Sequence, residues 1–517
     1  MHSSKFTSHR ERFLAILSVS FSLVVGPASA NPLPRSAPEA QGVSSAAIAQ
    51  FVNSLESHID APHSIMVVRH GHVIAEGWWA PYAADAPHVF FSLSKSFTST
   101  AVGLAIAEGK LSLDDRIIDL FPSEAPASPS SNLQQMRIRS LLSMNTGHHD
   151  DDLAKFEWMP ADSDRTLVGS FLNLPVAHKP GTHFLYNTPA SYVLAAAVQK
   201  VTGEGLVDYL MPRLFTPLNI ARPHWDQSRD GVALGGFGMR ATTEDIAKFG
   251  QLYLQQGEWQ GRRLIPADYV HAATSKQTSN GSNPDSDWDQ GYGFQFWRNK
   301  TSGFRGDGLF GQFCIVLPEH DAVIAMTSGT LDMGGVMNQI WEHLLPTFGP
   351  LPLPEKSTAA EALRSRLAGL QMARPRGVMF STRTNSITSQ RFTLTPNTVE
   401  FDAVTLQLGA DSSQLIVEQK GTRHTLSLGF NQWEDFDTGA FNLIDGVPMP
   451  HATQRAGGSG AWTDDSTYLA RVVLPETPYV FDLKFVFLND GSLEFTPRLN
   501  VNRGNAYPTV VGTPSKR

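Results

Sequence analysis

The feature that most constrains the fold is a change of pattern across Pro350-Leu351-Pro352-Leu353-Pro354. Proline at every second position cannot sit inside a helix or a central strand, because each ring removes a donor and fixes φ. Residues 350–358 therefore read as a linker. Before it, helical and strand signals alternate. Residues 64–68 and 72–76 flank His70-Gly71 and predict a hairpin. Apolar residues at helical spacing over 97–108 stop at Gly109, and 207–215 and 246–254 look the same. Residues 313–317 and 322–326 read as strands around a turn. Residues 31–349 thus predict a mixed α/β (α+β) domain. After the linker come short, partly alternating runs at 392–395, 404–408, 415–418, 425–428, 468–473 and 481–487. Asn489-Asp490-Gly491 is a hairpin turn before 493–495. Residues 359–517 predict an all-β domain, a barrel or sandwich.

A chain of 517 residues is long enough for two such domains. Its hydrophobic content of 41% excludes disorder as a whole. A net charge of −8 makes it a poor partner for nucleic acid. One cysteine, Cys314, excludes an intramolecular disulfide and a Cys-rich metal site; its apolar surroundings predict an inert core residue. Residues 1–30 run from a basic segment through an apolar stretch at 13–25 to Ala28-Ser29-Ala30. That order predicts a secretory signal peptide cut after Ala30. The apolar stretch is too short for a span of about 20 residues. The mature chain is expected in the periplasm or the medium, without a membrane span.

Residues 89–97, VFFSLSKSF, contain Ser-x-x-Lys at Ser92 and Lys95. A helix follows, and residues three apart share a helix face, so Lys95 can reach Ser92. A helix start also offers free N–H groups to a developing oxyanion. A serine hydroxyl needs a base to become a nucleophile. Lysine can be that base only if burial or a nearby cation lowers its pKa. The same residues also fit a helix cap with a solvated lysine, and a tetrapeptide this short recurs by chance.

The blocks FFSLSKSFTSTAVGLAIAEGKLSLDDRIIDLFP and IRSLLSMNTGHHD resemble the serine β-lactamase/penicillin-binding-protein superfamily, in particular the class C β-lactamase-related branch. That branch includes esterases, D-amino-acid peptidases and 6-aminohexanoate-dimer hydrolases. The resemblance spans roughly residues 35–345 and implies an antiparallel sheet flanked by helices. It puts the first motif on Ser92 and Lys95. The second, Tyr-x-Asn, falls on Tyr186, with Thr188 where asparagine is usual. The third, Lys-Thr-Gly or His-x-Gly, falls on Gly306, Asp307 and Gly308, so glycine stands where a cation is expected. On a regular strand Arg305 would point to the opposite face. Gly308 would let the backbone approach a substrate closely. The N–H groups of Ser92 and Leu309 would form the oxyanion hole.

The resemblance implies a serine hydrolase acting through an acyl-enzyme on Ser92. Tyr186 and Lys95 would handle the proton, and no cofactor or metal is needed. Loss of the cation at Gly306 and of the amide at Thr188 favours an ester or small-amide substrate over β-lactam or cell-wall peptide. β-Lactamase or D-amino-acid peptidase activity is the alternative reading, and a non-catalytic binding module is a further one. Thr188, Asp307 and His149 are candidate substrate contacts. His148-His149-Asp150-Asp151-Asp152 is a poor metal cluster, because adjacent loop residues seldom converge on one ion. Trp225, Trp288 and Trp297 are candidates for pocket lining or core packing. Oligomeric state is not legible.

Overall fold

The computed structural model describes residues 1, 32–156, 158, 165–441, 443–444, 447–448, 452–504 and 506–515. The signal-peptide reading of residues 1–30 lies outside these, apart from residue 1. Among the described residues no helix is long and apolar enough to cross a membrane.

Six antiparallel strands form the first sheet: β1 (Pro62–Arg69), β2 (His72–Trp78), β3 (Trp297–Arg298), β4 (Phe304–Gly308), β5 (Gln312–Leu317) and β6 (Ala322–Ser328), in the order β2-β1-β6-β5-β4-β3. The expected hairpin joins β1 to β2, with His70 and Gly71 both at positive φ, 47° and 73°. Strands buried on both faces read as continuous apolar runs, and here the alternation splits two cores. Met66, Val68, Cys314, Val316, Val323 and Ala325 enter one cluster. Ile65, Val67, Phe313, Ile315, Ile324 and Met326 enter the other. The first is covered by helices α2 (Ser94–Ala107), α3 (Thr188–Thr202) and α4 (Thr243–Leu254), the second by α1 (Ser45–His58). Helix α2 is buried almost along its whole length, and past its end Gly109 takes φ 69°.

The chain then differs from the expectation of a purely β segment. Helix α5 (Ser357–Ala368) follows the proline run and buries Ala360, Leu363 and Leu367 at helical spacing. It packs on α1 and β2. Ten strands form one further sheet: β7 (Arg391–Leu394), β8 (Ala403–Leu408), β9 (Ser412–Gln419), β10 (Thr422–Gly429), β11 (Glu434–Thr438), β12 (Gln454–Trp462), β13 (Thr467–Val473), β14 (Val480–Phe487), β15 (Leu493–Leu499) and β16 (Val510–Pro514). Nine of them, all but β11, close into a barrel through a contact of β10 with β12 at Gly429 and Ser459. Its interior is a separate apolar cluster that includes Phe481, Phe485, Phe495 and Trp462. Of the two architectures left open for this segment, the closed barrel is the one formed.

Candidate active site

Ser92 lies in a single 3-10 turn, Phe91–Leu93, that runs directly into α2. The turn is entered through Phe91 at φ 46°. Positive φ is uncommon for a bulky residue and must be held by its surroundings. Lys95, one turn on, is 1% exposed. Its Nζ donates to Ser92 Oγ at 2.9 Å and to the Gly236 carbonyl at 2.8 Å. Burial lowers the ammonium to about 7, against a smaller upward pull from Asp307. The lysine expected to need burial is thus buried.

Tyr186 joins this pair. Its side chain hydrogen-bonds Ser92, and its ring lies beneath Lys95 Nζ at 4.9 Å from the centroid. Trp297 stacks on the ring at 5.3 Å, and Tyr292 meets it edge-on at 6.2 Å. Burial, then the negative charge of Asp307, pushes the phenol above its ordinary value. Tyr186 is therefore a neutral hydroxyl beside a lysine that titrates near neutrality. Asn187, the next residue, caps α3 by accepting from the Ala190 N–H at 3.0 Å and is buried away from this group. Thr188 is half-buried at the first turn of α3, and its methyl lies where a side chain on Gly236 would go.

The third-motif segment lies on β4. A Cβ on Gly306 would stand 2.5 Å from Leu93 Cδ1 and 2.7 Å from Ser96 Oγ. Gly306 thus faces the start of α2 and makes room for it. The face toward Trp288 and Trp297 carries Arg305 and Asp307, since residues two apart on a strand share a side. Asp307 Oδ2 accepts from Arg305 Nε at 3.0 Å and from Trp288 Nε1 at 3.1 Å. Arg305 lies on the face opposite Gly306, as the alternation of a regular strand requires, and is fully buried against Asp307. The side chain that acts electrostatically on Lys95 and Tyr186 is a carboxylate, not a cation. Burial raises the Asp307 carboxyl, and Arg305 opposes that shift. The close approach at Gly308 is to protein: a Cβ there would meet the Phe90 carbonyl at 2.0 Å.

The N–H groups of Ser92 and Leu309 have no backbone or side-chain acceptor among the described residues. They are free to receive a developing oxyanion. His149 is not drawn into this group. It is exposed, caps a short helix by accepting from the Asp151 N–H, and lies 6.2 Å from the His178 ring. His148 is buried against Thr146. Trp225 is core, donating to the Phe237 carbonyl. Cys314 is buried, which pushes its thiol up.

Two contributors were not anticipated. The Gly235-Gly236 pair threads between α2 and α3, where a Cβ on Gly235 would meet the Ser191 carbonyl at 2.5 Å. It presents the carbonyl that fixes Lys95. Gln295, buried at φ 65°, ties the elements together. Its carbonyl accepts from Ser96 Oγ, its Oε1 from Ser191 Oγ, and its Nε2 donates to the Leu141 and Leu142 carbonyls.

A two-faced antiparallel sheet, with Ser-x-x-Lys opening a buried helix beside its edge, defines a class: serine hydrolases built on the β-lactamase fold. The chain belongs to the beta-lactamase family, whose model matches residues 55–343. It is 27% identical over 306 residues to a 6-aminohexanoate-dimer hydrolase of Paenarthrobacter ureafaciens, covering 55% of this chain and 78% of that protein. It is 25% identical over 335 residues to penicillin-binding protein 4 of Amycolatopsis lactamdurans, covering 55% and 82%. A solved Bacillus anthracis structure, described as a 6-aminohexanoate-dimer hydrolase, superposes with TM-score 0.50 at 19% identity. It covers 62% of this chain and 89% of that one, and shows the shared fold.

Proposed function

We propose that the protein cleaves an ester or small amide through an acyl-enzyme on Ser92. The observation that carries this reading is the buried Lys95 amine, 2.9 Å from Ser92 Oγ and lowered to about 7. An amine of that pKa is neutral in a large fraction at physiological pH and can accept the serine proton. Oγ then attacks the carbonyl. The N–H groups of Ser92 and Leu309 take the oxyanion, each worth about 2.7–4 kcal/mol of barrier when well aimed. Collapse expels the alcohol or amine, which receives the proton from Lys95 through the Tyr186 hydroxyl. Water repeats the sequence and frees Ser92. Of the two proton-handling groups, Lys95 is the base and Tyr186 the relay, because burial moves their pKa values in opposite directions. The Asp307 carboxylate disfavours an acyl group bearing its own carboxylate near Lys95, which supports esters and small amides over β-lactams. Residues 1–30 carry the pattern of an export leader, so the reaction is proposed to occur outside the cytoplasm.

The test is hydrolysis of a short-chain p-nitrophenyl ester by the chain from Asn31, beside Ser92→Ala, with intact-mass labelling by a fluorophosphonate. Turnover and one covalent adduct are expected for the wild type and neither for the variant. Acylation by penicillin faster than ester turnover would overturn the substrate assignment. Equal behaviour of the two proteins would overturn the role of Ser92.

A further inference from the structure

The barrel reaches the catalytic domain at one sensitive place. Phe91 and Leu309 flank or supply the two free N–H groups, and both pack against the barrel's apolar cluster, of which Phe310 is itself a member. Phe91 precedes Ser92 at φ 46°, and Phe310 follows Leu309 at φ 68°. Their rings meet edge-to-face, 5.3 Å apart at 87°. Phe310 in turn meets Tyr479 of the barrel edge-on at 6.4 Å. One aromatic row thus runs from the nucleophile turn through the third-motif loop into the barrel.

The backbone repeats the connection. Between β13 and β14 the barrel turn offers the Glu476 carbonyl, which accepts the Val89 N–H at 2.9 Å, three residues before Ser92. The Thr477 carbonyl accepts from Tyr82 Oη at 3.2 Å. Asn500 Nδ2 donates to the Pro478 carbonyl at 2.9 Å and across to the Gly329 carbonyl at 2.8 Å. The Thr330 N–H closes the circuit onto the Phe310 carbonyl at 3.3 Å. Two bulky residues at positive φ need surroundings that over-determine them. On one side those surroundings are the barrel.

We propose that the barrel turn 474–480 and Tyr479 are positioning elements for the oxyanion hole, holding Phe91 and Phe310 so that the Ser92 and Leu309 N–H groups converge. This rests on the acyl-enzyme reading above. It makes the barrel part of the reaction's geometry, with Tyr479, Phe310 and Phe91 as positioning residues that touch no substrate.

The test uses the full mature chain with Tyr479→Leu, Phe310→Leu and the double variant. Leu415→Ala on β9 is the control, because it loosens the barrel core on a strand that pairs with neither β13 nor β14. Readouts are kcat and KM on the p-nitrophenyl ester, the affinity of a boronic acid that mimics the tetrahedral adduct on Ser92, and the melting temperature. Loss of one oxyanion donor costs about 100- to 1000-fold in kcat, so misaiming should cost about tenfold or more. KM should stay within about twofold, and boronate affinity should fall in step with kcat. The double variant should be little worse than either single one, since the row acts as a unit. Leu415→Ala should lower the melting temperature and leave kcat in place. Tyr479→Leu carries the test alone if Phe310→Leu does not fold. If the variants only melt earlier, as the control does, the barrel is a structural neighbour and the proposal falls. A wild type that neither turns over nor labels at Ser92 would sink the acyl-enzyme reading and this proposal with it.

Discussion

Replacing Lys95 by methionine should abolish turnover and yet stabilise the protein at neutral pH. Burial lowers the lysine from its ordinary 10.5 to about 7. Between those values the unfolded chain holds a proton that the folded chain has released. Stability therefore rises with pH across that window, by about 1.4 kcal/mol per pH unit. At pH 7 the wild type carries a penalty of roughly 4 kcal/mol, which disappears as pH passes the unfolded value. Methionine removes the penalty but also the bonds to Ser92 Oγ and the Gly236 carbonyl. Stranding that carbonyl costs about 2 kcal/mol. The variant should be about 2 kcal/mol more stable than wild type at pH 7 and about 2 kcal/mol less stable near pH 10.5, the curves crossing near pH 9. Guanidinium unfolding followed by tryptophan fluorescence, at steps of about half a pH unit, gives the difference directly, and titrating groups that do not act on Lys95 cancel in it. A difference that stays flat with pH would mean that folding does not shift Lys95. An unshifted lysine would be charged at neutral pH and could not take the serine proton there.

Two further outcomes follow from the same geometry. With Lys95 as base, kcat/KM on the ester should climb about tenfold per pH unit below 7 and level off above it. No falling limb from Tyr186 is expected below about pH 9, because its phenol is pushed above the usual range; a profile flat from about pH 5 to 9 would contradict Lys95 as base. Gly306→Ala should cost about 1–3 kcal/mol by overpacking against Leu93 and Ser96, and should lower ester turnover by shifting the start of α2. An unchanged melting temperature would show that Gly306 does not face that helix.

Local signals carried most of the fold. The β1–β2 hairpin is encoded in His70-Gly71, and the stop after α2 in Gly109. Most barrel strands extend the alternating segments by a residue or several, while β7 is shifted by one residue from the expected 392–395. Alternation did not find β11, β12 or β16; in β12 the sequence QRAGGSGAW, with three glycines and two alanines, has little to alternate. Those glycines serve closure: a Cβ on Gly458 would meet the Ser427 carbonyl at 2.0 Å, where β10 and β12 come together. A glycine-rich strand marks close backbone approach, which is a property of the partner strand and invisible in the strand itself. Helix α5 was hidden for another reason. Its buried residues are few, and the apolar surfaces that receive them, α1 and β2, lie some 300 residues earlier.

The site divides along the same line. Ser92 and Lys95 could be paired from sequence because a helix makes i and i+3 neighbours whatever surrounds them. The third motif could be placed on 306–308, but what its two faces meet is decided only by the partners of the strand. Pairing of Asp307 with Phe313 and of Gly308 with Gln312, together with the packing of α2, turns Gly306 toward the helix and Asp307 toward Trp288. That choice sets the Asp307 carboxylate, paired with Arg305, where it acts on Lys95. The pKa of the lysine is less local still. It follows from burial, with the Tyr186 ring against the amine, opposed by a smaller upward pull from Asp307, and both residues lie far along the chain. A motif thus names the nucleophile and its neighbour, while distant segments decide whether that neighbour is a base.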